Sequence, residues 1–129
     1  MSRRRPVTRE RRVTDPVRVL VAEDEELARE KLRRFIEAES DLELVGEAAD
    51  GPAALKAITK LRPDLLSLDV QMPGLTGIDV LRRATRPRYV IFTTAFDQYA
   101  VAAFEFEAVD YLLKPFGPAR FRKAVERVR

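Results

Sequence analysis

The sequence predicts an α/β fold built on a parallel sheet, and three observations support this. Short apolar runs alternate with amphipathic segments five times along the chain. The run that begins at Leu65 is rich in leucine, as a strand buried on both faces requires. There is neither an internal repeat nor a second apolar core. Alternation of this kind demands right-handed crossovers, so we expect helices on both faces of the sheet.

The first two β-α units have clear boundaries. A buried strand is expected over 17–22. Leucine, phenylalanine and isoleucine then recur at near-helical spacing among charges, which predicts an amphipathic helix over 26–39. A second strand covers 42–48. Asp50 and Pro52 mark the start of a second helix, because proline in the first turn sacrifices no hydrogen bond there.

The rest of the chain supplies the central strand, two further strands and three helices. Their expected positions, in chain order, are a strand from Leu65, a short helix around 78–81, a strand over 89–93, a helix over 97–106, a strand over 109–113 and a helix from Pro118. One side of the helix over 97–106 would consist of Tyr99, Ala100, Ala103 and Phe104.

Five such units favour a flavodoxin-like, doubly wound (βα)5 three-layer sandwich with strand order 2-1-3-4-5. In such sheets ligands bind at the carboxyl ends of the strands, where the strand order reverses. That point lies between the first and third strands. Glu23 and Asp24 follow the first strand and Asp69 ends the third. These carboxylates should therefore be neighbours.

Composition limits the chemistry that is available. The chain has 129 residues, enough for one ordinary domain, and no apolar run long enough to span a membrane. It has no cysteine, which excludes disulfides and thiolate metal sites. It also has no histidine, which excludes the usual general base and the usual nucleophile pairs.

The positive charge is concentrated at the N-terminus. Residues 1–18 hold seven arginines against two acids, a balance of +5, which leaves −2 of the total +3 for the rest. We therefore expect residues 1–16 to be a basic, disordered extension and 17–129 to be one folded domain. The other interpretations of the extension are binding to nucleic acid or an anionic surface, and an organellar transit peptide.

Crowded carboxylates need a cation, and Mg²⁺ suits them because it binds through one or two carboxylates and leaves a face open to phosphate oxygens. The end of the fourth strand, at Thr93, Thr94 and Ala95, would add a hydroxyl and a backbone N–H, and the end of the fifth strand would add the ammonium of Lys114. A carboxylate such as Asp69 can attack phosphorus to give an aspartyl-phosphate. That reaction needs mainly positioning and charge neutralisation, and no histidine on this chain.

Four stretches of the sequence resemble the receiver domain of two-component response regulators, and the resemblance spans about residues 17–129. The stretches are Val21-Ala22-Glu23-Asp24-Glu25, Leu68-Asp69-Val70-Gln71-Met72-Pro73-Gly74, Thr93-Thr94-Ala95 and Asp110-Tyr111-Leu112-Leu113-Lys114-Pro115-Phe116. The region 92–116 is similar in particular to the LytR/AlgR type, in which a LytTR DNA-binding domain follows the receiver.

The resemblance implies a role for each site residue. Asp69 would be the phosphoacceptor, and Mg²⁺ would be bound by Asp24, Asp69 and the backbone carbonyl of Gln71, with Glu23 acting through water. Phosphate binding and switching would involve Thr94, Ala95, Lys114 and Tyr111. The peptide bond before Pro115 would be cis.

The implied function is that of a cytoplasmic signalling switch rather than an enzyme. A sensor histidine kinase would be the partner, and DNA would be contacted only through a C-terminal domain that this chain lacks. Two alternatives stay open: a pseudo-receiver that binds partners without phosphorylation, and a haloacid-dehalogenase-like phosphatase. The phosphatase is disfavoured because that family has an aspartate where this chain has Gln71.

Two expectations concern surface charge. Glu25 is assigned to a solvated acid that caps the first helix. A homodimer is a further hypothesis, formed through the predicted helix over 97–106, the fifth strand and the last helix. Charges of opposite sign could pair there across a two-fold axis; they are Glu105, Glu107 and Asp110 against Arg120, Arg122, Lys123 and Arg127.

Overall fold

The computed structural model of the protein describes residues 15–85, 87–99 and 105–129. Five strands form one parallel sheet in the order β2-β1-β3-β4-β5, which confirms the predicted flavodoxin-like winding. The strands are β1 (Val17–Ala22), β2 (Leu42–Ala48), β3 (Leu65–Asp69), β4 (Tyr89–Thr94) and β5 (Asp110–Leu113).

Two of the helices begin at a residue whose side chain caps them. Within the described ranges the α-helices are α1 (Glu26–Glu37), α2 (Gly51–Leu61), α3 (Gly77–Arg83) and α4 (Pro118–Glu126). At the start of α2, the Asp50 carboxylate accepts a hydrogen bond from the backbone N–H of Ala53 at 2.7 Å. The Thr76 hydroxyl accepts one from the N–H of Asp79 at 3.1 Å and starts α3 in the same way. None of the helices described here is both long and apolar enough to cross a bilayer.

Two predicted segments lie wholly or partly outside the described residues. Of the helix predicted over 97–106, Asp97–Tyr99 form a single 3-10 turn. Ala100, Ala103 and Phe104 lie outside the described residues, and so do residues 1–14 of the predicted basic extension.

Apolar side chains cover both faces of the sheet and make three layers. On one face the core contains Leu20, Ala22, Leu66, Leu68, Ala54, Ile58, Val80 and Leu81, which joins β1 and β3 to α2 and α3. On the other face it contains Val19, Val21, Leu65, Leu32, Ile36, Phe121 and Val125, which joins the same strands to α1 and α4. Each large side chain buried in this way stabilises the fold by about 1.5–3 kcal/mol. The carboxyl ends of the strands are therefore anchored on both sides.

The strand order reverses at β1, which pairs with β2 on one side and β3 on the other. Ala22, the last residue of β1, lies opposite Leu68 of β3. The residues that follow these two positions are Glu23 and Asp69. The fold thus brings together two acids that are distant in the sequence.

Candidate functional site

An acidic cluster occupies this edge of the sheet. It consists of Glu23, Asp24 and Asp69, which offer carboxylate oxygens within 4.8 Å of one another. Glu23 is fully buried, Asp69 is 4% exposed, and Asp24 is exposed to solvent. The structure therefore brings together the three acids that the strand order predicts to be neighbours.

Lys114 contacts the cluster from the end of β5. Its Nζ atom lies 2.5 Å from Oε1 of Glu23 and 3.0 Å from Oδ2 of Asp69. The exposed carboxylate of Glu25 is 3.7 Å from the same atom. The Lys114-Pro115 bond is cis, as the resemblance implies. One ammonium therefore neutralises part of the charge of several carboxylates.

Burial and hydrogen bonding act in opposite directions on these groups. Burial raises the pKa of Glu23 to about 7, with a further upward contribution from the charge of Asp69, although hydrogen bonds from Lys114 and from the N–H of Glu25 act to lower it. Burial also works against the charge of Lys114, but its hydrogen bonds with Glu23 and Asp69 outweigh this and raise its pKa. Lys114 is therefore held in its charged form beside the carboxylates.

The donor set fits a hard divalent cation. Three carboxyl groups lie together in this cluster, two of them in contact with the Lys114 ammonium, and oxygen is the ligand atom that Mg²⁺ prefers. The backbone N–H of Gln71 donates to Oδ1 of Asp69 at 3.0 Å, which fixes this segment beside the phosphoacceptor candidate. The role of the Gln71 carbonyl oxygen as a ligand stays a prediction.

The loop after β4 is held by two side chains that the sequence singles out. The Thr94 hydroxyl, which is fully buried, accepts a hydrogen bond from the N–H of Phe96 at 3.2 Å. The Tyr111 hydroxyl donates to the carbonyl oxygen of Phe96. The Thr94 carbonyl oxygen accepts from the N–H of Lys114 at 2.7 Å. Ala95, between these contacts, is exposed and lines a cleft of about 400 Å³ together with Lys114.

Two contacts at the site were not anticipated from the sequence. Arg29 donates from one Nη atom to the carbonyl oxygens of Glu23 and Asp24, at 2.8 and 3.1 Å. A cation near the start of a helix interacts unfavourably with the helix dipole. This unusual position is the feature of the sequence that marks Arg29. Glu25 is the exposed N-cap residue of α1, as predicted, but its side chain forms no cap hydrogen bond. Its N–H instead donates to Oε2 of Glu23 at 3.0 Å.

The backbone of the segment after Asp69 is packed closely against neighbouring backbone atoms. The N–H of Val70 donates to the Thr93 carbonyl oxygen at 3.0 Å, and the N–H of Gly77 donates to the Val70 carbonyl oxygen at 2.7 Å. A Cβ atom added at Gly77 would lie 2.4 Å from the carbonyl oxygen of Asp69. Gly74 has φ of +85°, in the left-handed region that glycine adopts most easily.

Several of the charged groups named in the dimer hypothesis form ion pairs within the chain. Asp110 pairs within the chain with Arg120 at 2.9 Å and with Arg127 at 3.7 Å. Arg122 pairs with Glu39 at 3.2 Å. Four of the seven groups thus have partners in the same chain, and their pairing across a two-fold axis stays a prediction.

Comparison with known proteins identifies the family. The model of the response regulator receiver domain matches residues 19–126, which is most of the chain. The chain belongs to the response regulator receiver domain family. It is a receiver domain of a two-component response regulator, and such domains are signalling switches rather than enzymes. The phosphatase alternative is therefore wrong.

Named relatives agree with this assignment. The receiver domain is 48% identical over 116 residues to the transcriptional regulatory protein BtsR of Escherichia coli (strain K12), a match that covers 88% of this chain and 48% of that protein. It is 40% identical over 118 residues to the sensory transduction protein LytT of Oceanobacillus iheyensis, with the same coverage of 88% and 48%. The chain spans about half the length of these curated relatives.

A solved structure with the same architecture is the REC domain of AraT, a response regulator from Geobacillus stearothermophilus. The TM-score is 0.78 and the sequence identity 36%, and the match covers 87% of this chain and 92% of that one. The receiver fold found here is thus shared with an experimentally determined receiver domain.

Proposed function

We propose that a sensor histidine kinase phosphorylates this receiver domain on Asp69 in a Mg²⁺-dependent reaction. The observation that carries the proposal is the position of Asp69: it ends the central strand where the strand order reverses, with its Oδ2 atom 3.0 Å from Lys114. Nucleophile and countercharge are thus available in one place.

The proposed transfer is simple in its bonding. A carboxylate oxygen of Asp69 forms a bond to phosphorus while the bond between phosphorus and the donor's histidine nitrogen breaks. Charge on the transferred phosphoryl oxygens is stabilised by the ammonium of Lys114, by the hydroxyl of Thr94 and by the N–H of Ala95. The kinase supplies the histidine, so its absence from this chain is consistent with the reaction.

The metal would be held by Asp24, Asp69 and the backbone carbonyl of Gln71, with Glu23 acting through water. The gathered carboxyl groups support this assignment, since their oxygens lie within 4.8 Å of one another. When bound, Mg²⁺ would neutralise these acids and the phosphoryl oxygens, which is the main requirement of phosphoryl transfer.

Phosphorylation would switch the loop after β4. The phosphoryl group adds a charge of about −1.5 to −2 and draws the Thr94 hydroxyl toward it. Thr94 must then release the N–H of Phe96, to which it is bonded at 3.2 Å. The hydrogen bond from Tyr111 to Phe96 ties the same loop to β5, so a change at Thr94 reaches the surface of β5.

The output would lie beyond this chain. The relatives named BtsR and LytT are about twice as long, and the residues that resemble the LytR/AlgR type lie over 92–116. We therefore propose a C-terminal LytTR DNA-binding domain in the full-length regulator, which would act in the cytoplasm.

Dimerisation stays part of the proposal, on apolar rather than ionic grounds. Leu113 on β5 is 48% exposed and Phe96 in the preceding loop is 44% exposed. We expect phosphorylation to strengthen a homodimer through this face. Sedimentation with and without beryllofluoride tests it, and a monomer in both states would contradict it.

Uptake of a phosphoryl group from acetyl phosphate tests the function. With Mg²⁺, intact-mass measurement should show a gain of one phosphoryl group, and EDTA should abolish the gain. Asp69→Asn should abolish it too. Asp79→Asn is the matched control, because Asp79 is a partly exposed carboxylate on α3, and it should leave the gain unchanged. No gain in the unsubstituted chain would favour the pseudo-receiver.

A further inference from the structure

A second concave surface lies on the face of the sheet that α2 and α3 cover, away from the cleft beside Lys114. It is a groove of about 620 Å³, and we call it the α2–α3 groove. One wall is formed by Pro52, Leu55, Lys56, Thr59 and Lys60 of α2, and the other by Gly74, Leu75 and Arg83.

The groove has the length and the floor of a helix-binding surface. Its α2 residues recur at 52, 55–56 and 59–60, that is, every three or four positions, so they form one stripe along the helix. The stripe covers about 12 Å, or a little more than two helical turns. Leu55 and Leu75 are half-buried and give an apolar floor, and none of the lining residues is aromatic.

The rim of the groove carries positive charge without compensation. Lys56, Lys60 and Arg83 are exposed, and none of the carboxylates in the described ranges forms an ion pair with them. Helix α2 itself contains no acidic residue. The rim of the groove is therefore positive although the chain beyond residue 18 has a net charge of −2.

We propose that the α2–α3 groove docks an acidic amphipathic helix of a partner protein. Apolar side chains of that helix, spaced at i, i+3 or i+4 and i+7, would pack on Leu55 and Leu75. Carboxylates flanking its apolar stripe would pair with Lys56, Lys60 and Arg83. A nucleic acid suits the groove less well, because an aliphatic floor offers no ring on which bases stack.

Binding of a designed peptide to the full chain tests this proposal. The probe is a fluorescein-labelled synthetic helix of about three turns, with leucines on one face and glutamates beside them. Fluorescence anisotropy should show saturable binding that weakens with salt. A second peptide with lysine in place of each glutamate should bind at least about 10-fold more weakly.

Variants of the chain locate the site. The double substitution Lys56→Glu and Lys60→Glu should weaken binding of the acidic peptide by about 10-fold or more. Lys123→Glu reverses an exposed charge on α4, on the other face of the sheet, and should change the affinity less than about 2-fold. Far-UV circular dichroism should show all three proteins folded. Amide chemical shifts should move at Leu75 and Arg83.

Several results would overturn the proposal. They are an absence of saturable binding, equal binding of the two peptides, unchanged affinity in the double variant, or shifts confined to α1. Displacement of the peptide by a mixed-sequence single-stranded oligonucleotide of higher affinity would assign the groove to nucleic acid instead.

Discussion

Substitution of Gly77 by alanine tests how tightly the backbone packs behind the proposed phosphoacceptor. Gly77 is the first residue of α3, and its φ is not in the left-handed region, so the backbone itself would accept alanine. The obstacle is space. The added Cβ would lie 2.4 Å from the Asp69 carbonyl oxygen, 3.1 Å from Cα of Val70 and 3.1 Å from Cγ of Leu68.

The cost can be judged from these distances. Nonbonded atoms pack at about 3.5–4.0 Å, so the Asp69 carbonyl must move by about 1 Å. Overpacking of this kind costs about 1–3 kcal/mol, which exceeds the gain of up to about 1 kcal/mol that alanine brings to a helix. We expect the thermal midpoint to fall by roughly 4–15 °C. Because Asp69 moves with its carbonyl, phosphoryl uptake should slow as well.

Gly117→Ala is the matched control, since no atom lies within 4 Å of a Cβ added at Gly117. It should change the free energy of unfolding by less than about 1 kcal/mol. Calorimetry or denaturant unfolding measures both variants, and intact-mass kinetics with acetyl phosphate measures uptake. Equal stability of Gly77→Ala and the unsubstituted chain would refute the steric argument.

Three further predictions concern the charged groups. Lys114→Met should bind Mg²⁺ several-fold more tightly by calorimetry, because an ammonium 3.0 Å from a proposed ligand is removed. In metal-free buffer, stability should fall by about 2–3 kcal/mol at most between pH 4.5 and about 7, because burial raises the pKa of Glu23 and the folded state binds its proton more tightly; unfolding curves of Glu23→Gln should lack this loss. Arg120→Ala should cost about 1–2 kcal/mol at pH 7, more than Arg122→Ala, which removes a more exposed partner. Burial acts to raise the pKa of Asp110, but hydrogen bonds from Arg120 and a backbone N–H outweigh it and lower that pKa. The stability difference caused by Arg120→Ala should therefore vanish below pH 3.8, as Asp110 becomes protonated.

The strands of the sheet can be predicted because residues close together in the sequence determine where each strand begins and ends. Apolar runs bounded by turn residues define the strands, and β1 and β2 begin and end where predicted. The starts of α2 and α4 are marked by prolines near the first turn. The juxtaposition of Glu23 and Asp69 follows from strand order alone, so it could also be predicted.

Charge partners were harder to predict because sequence gives the sign of a side chain but not its distance to others. From the sequence, the acids and arginines of β5 and α4 are expected to form ion pairs with a second subunit. In the structure Arg120 reaches Asp110 of the same chain with two hydrogen bonds of 2.9 Å. Arg29 is unpredicted for the same reason, since a cation near the start of a helix is visible in the sequence but the backbone carbonyls that it contacts are not.

Close backbone approach was also beyond prediction. In the sequence Gly77 closely follows Pro73 and Gly74, in a stretch typical of a turn, where glycine is common. Nothing in the sequence therefore indicates that its missing side chain leaves room for the Asp69 carbonyl. Only the packing of α3 against the end of β3 shows that requirement.

The most direct test of the central proposal is to identify the modified residue. After incubation with Mg²⁺ and acetyl phosphate, borohydride reduces an acyl phosphate to an alcohol, and peptide mapping by mass spectrometry then finds homoserine where an aspartyl phosphate stood. Homoserine at position 69 alone is the expected result. Modification of Asp24, of another carboxylate, or of no residue would contradict the account.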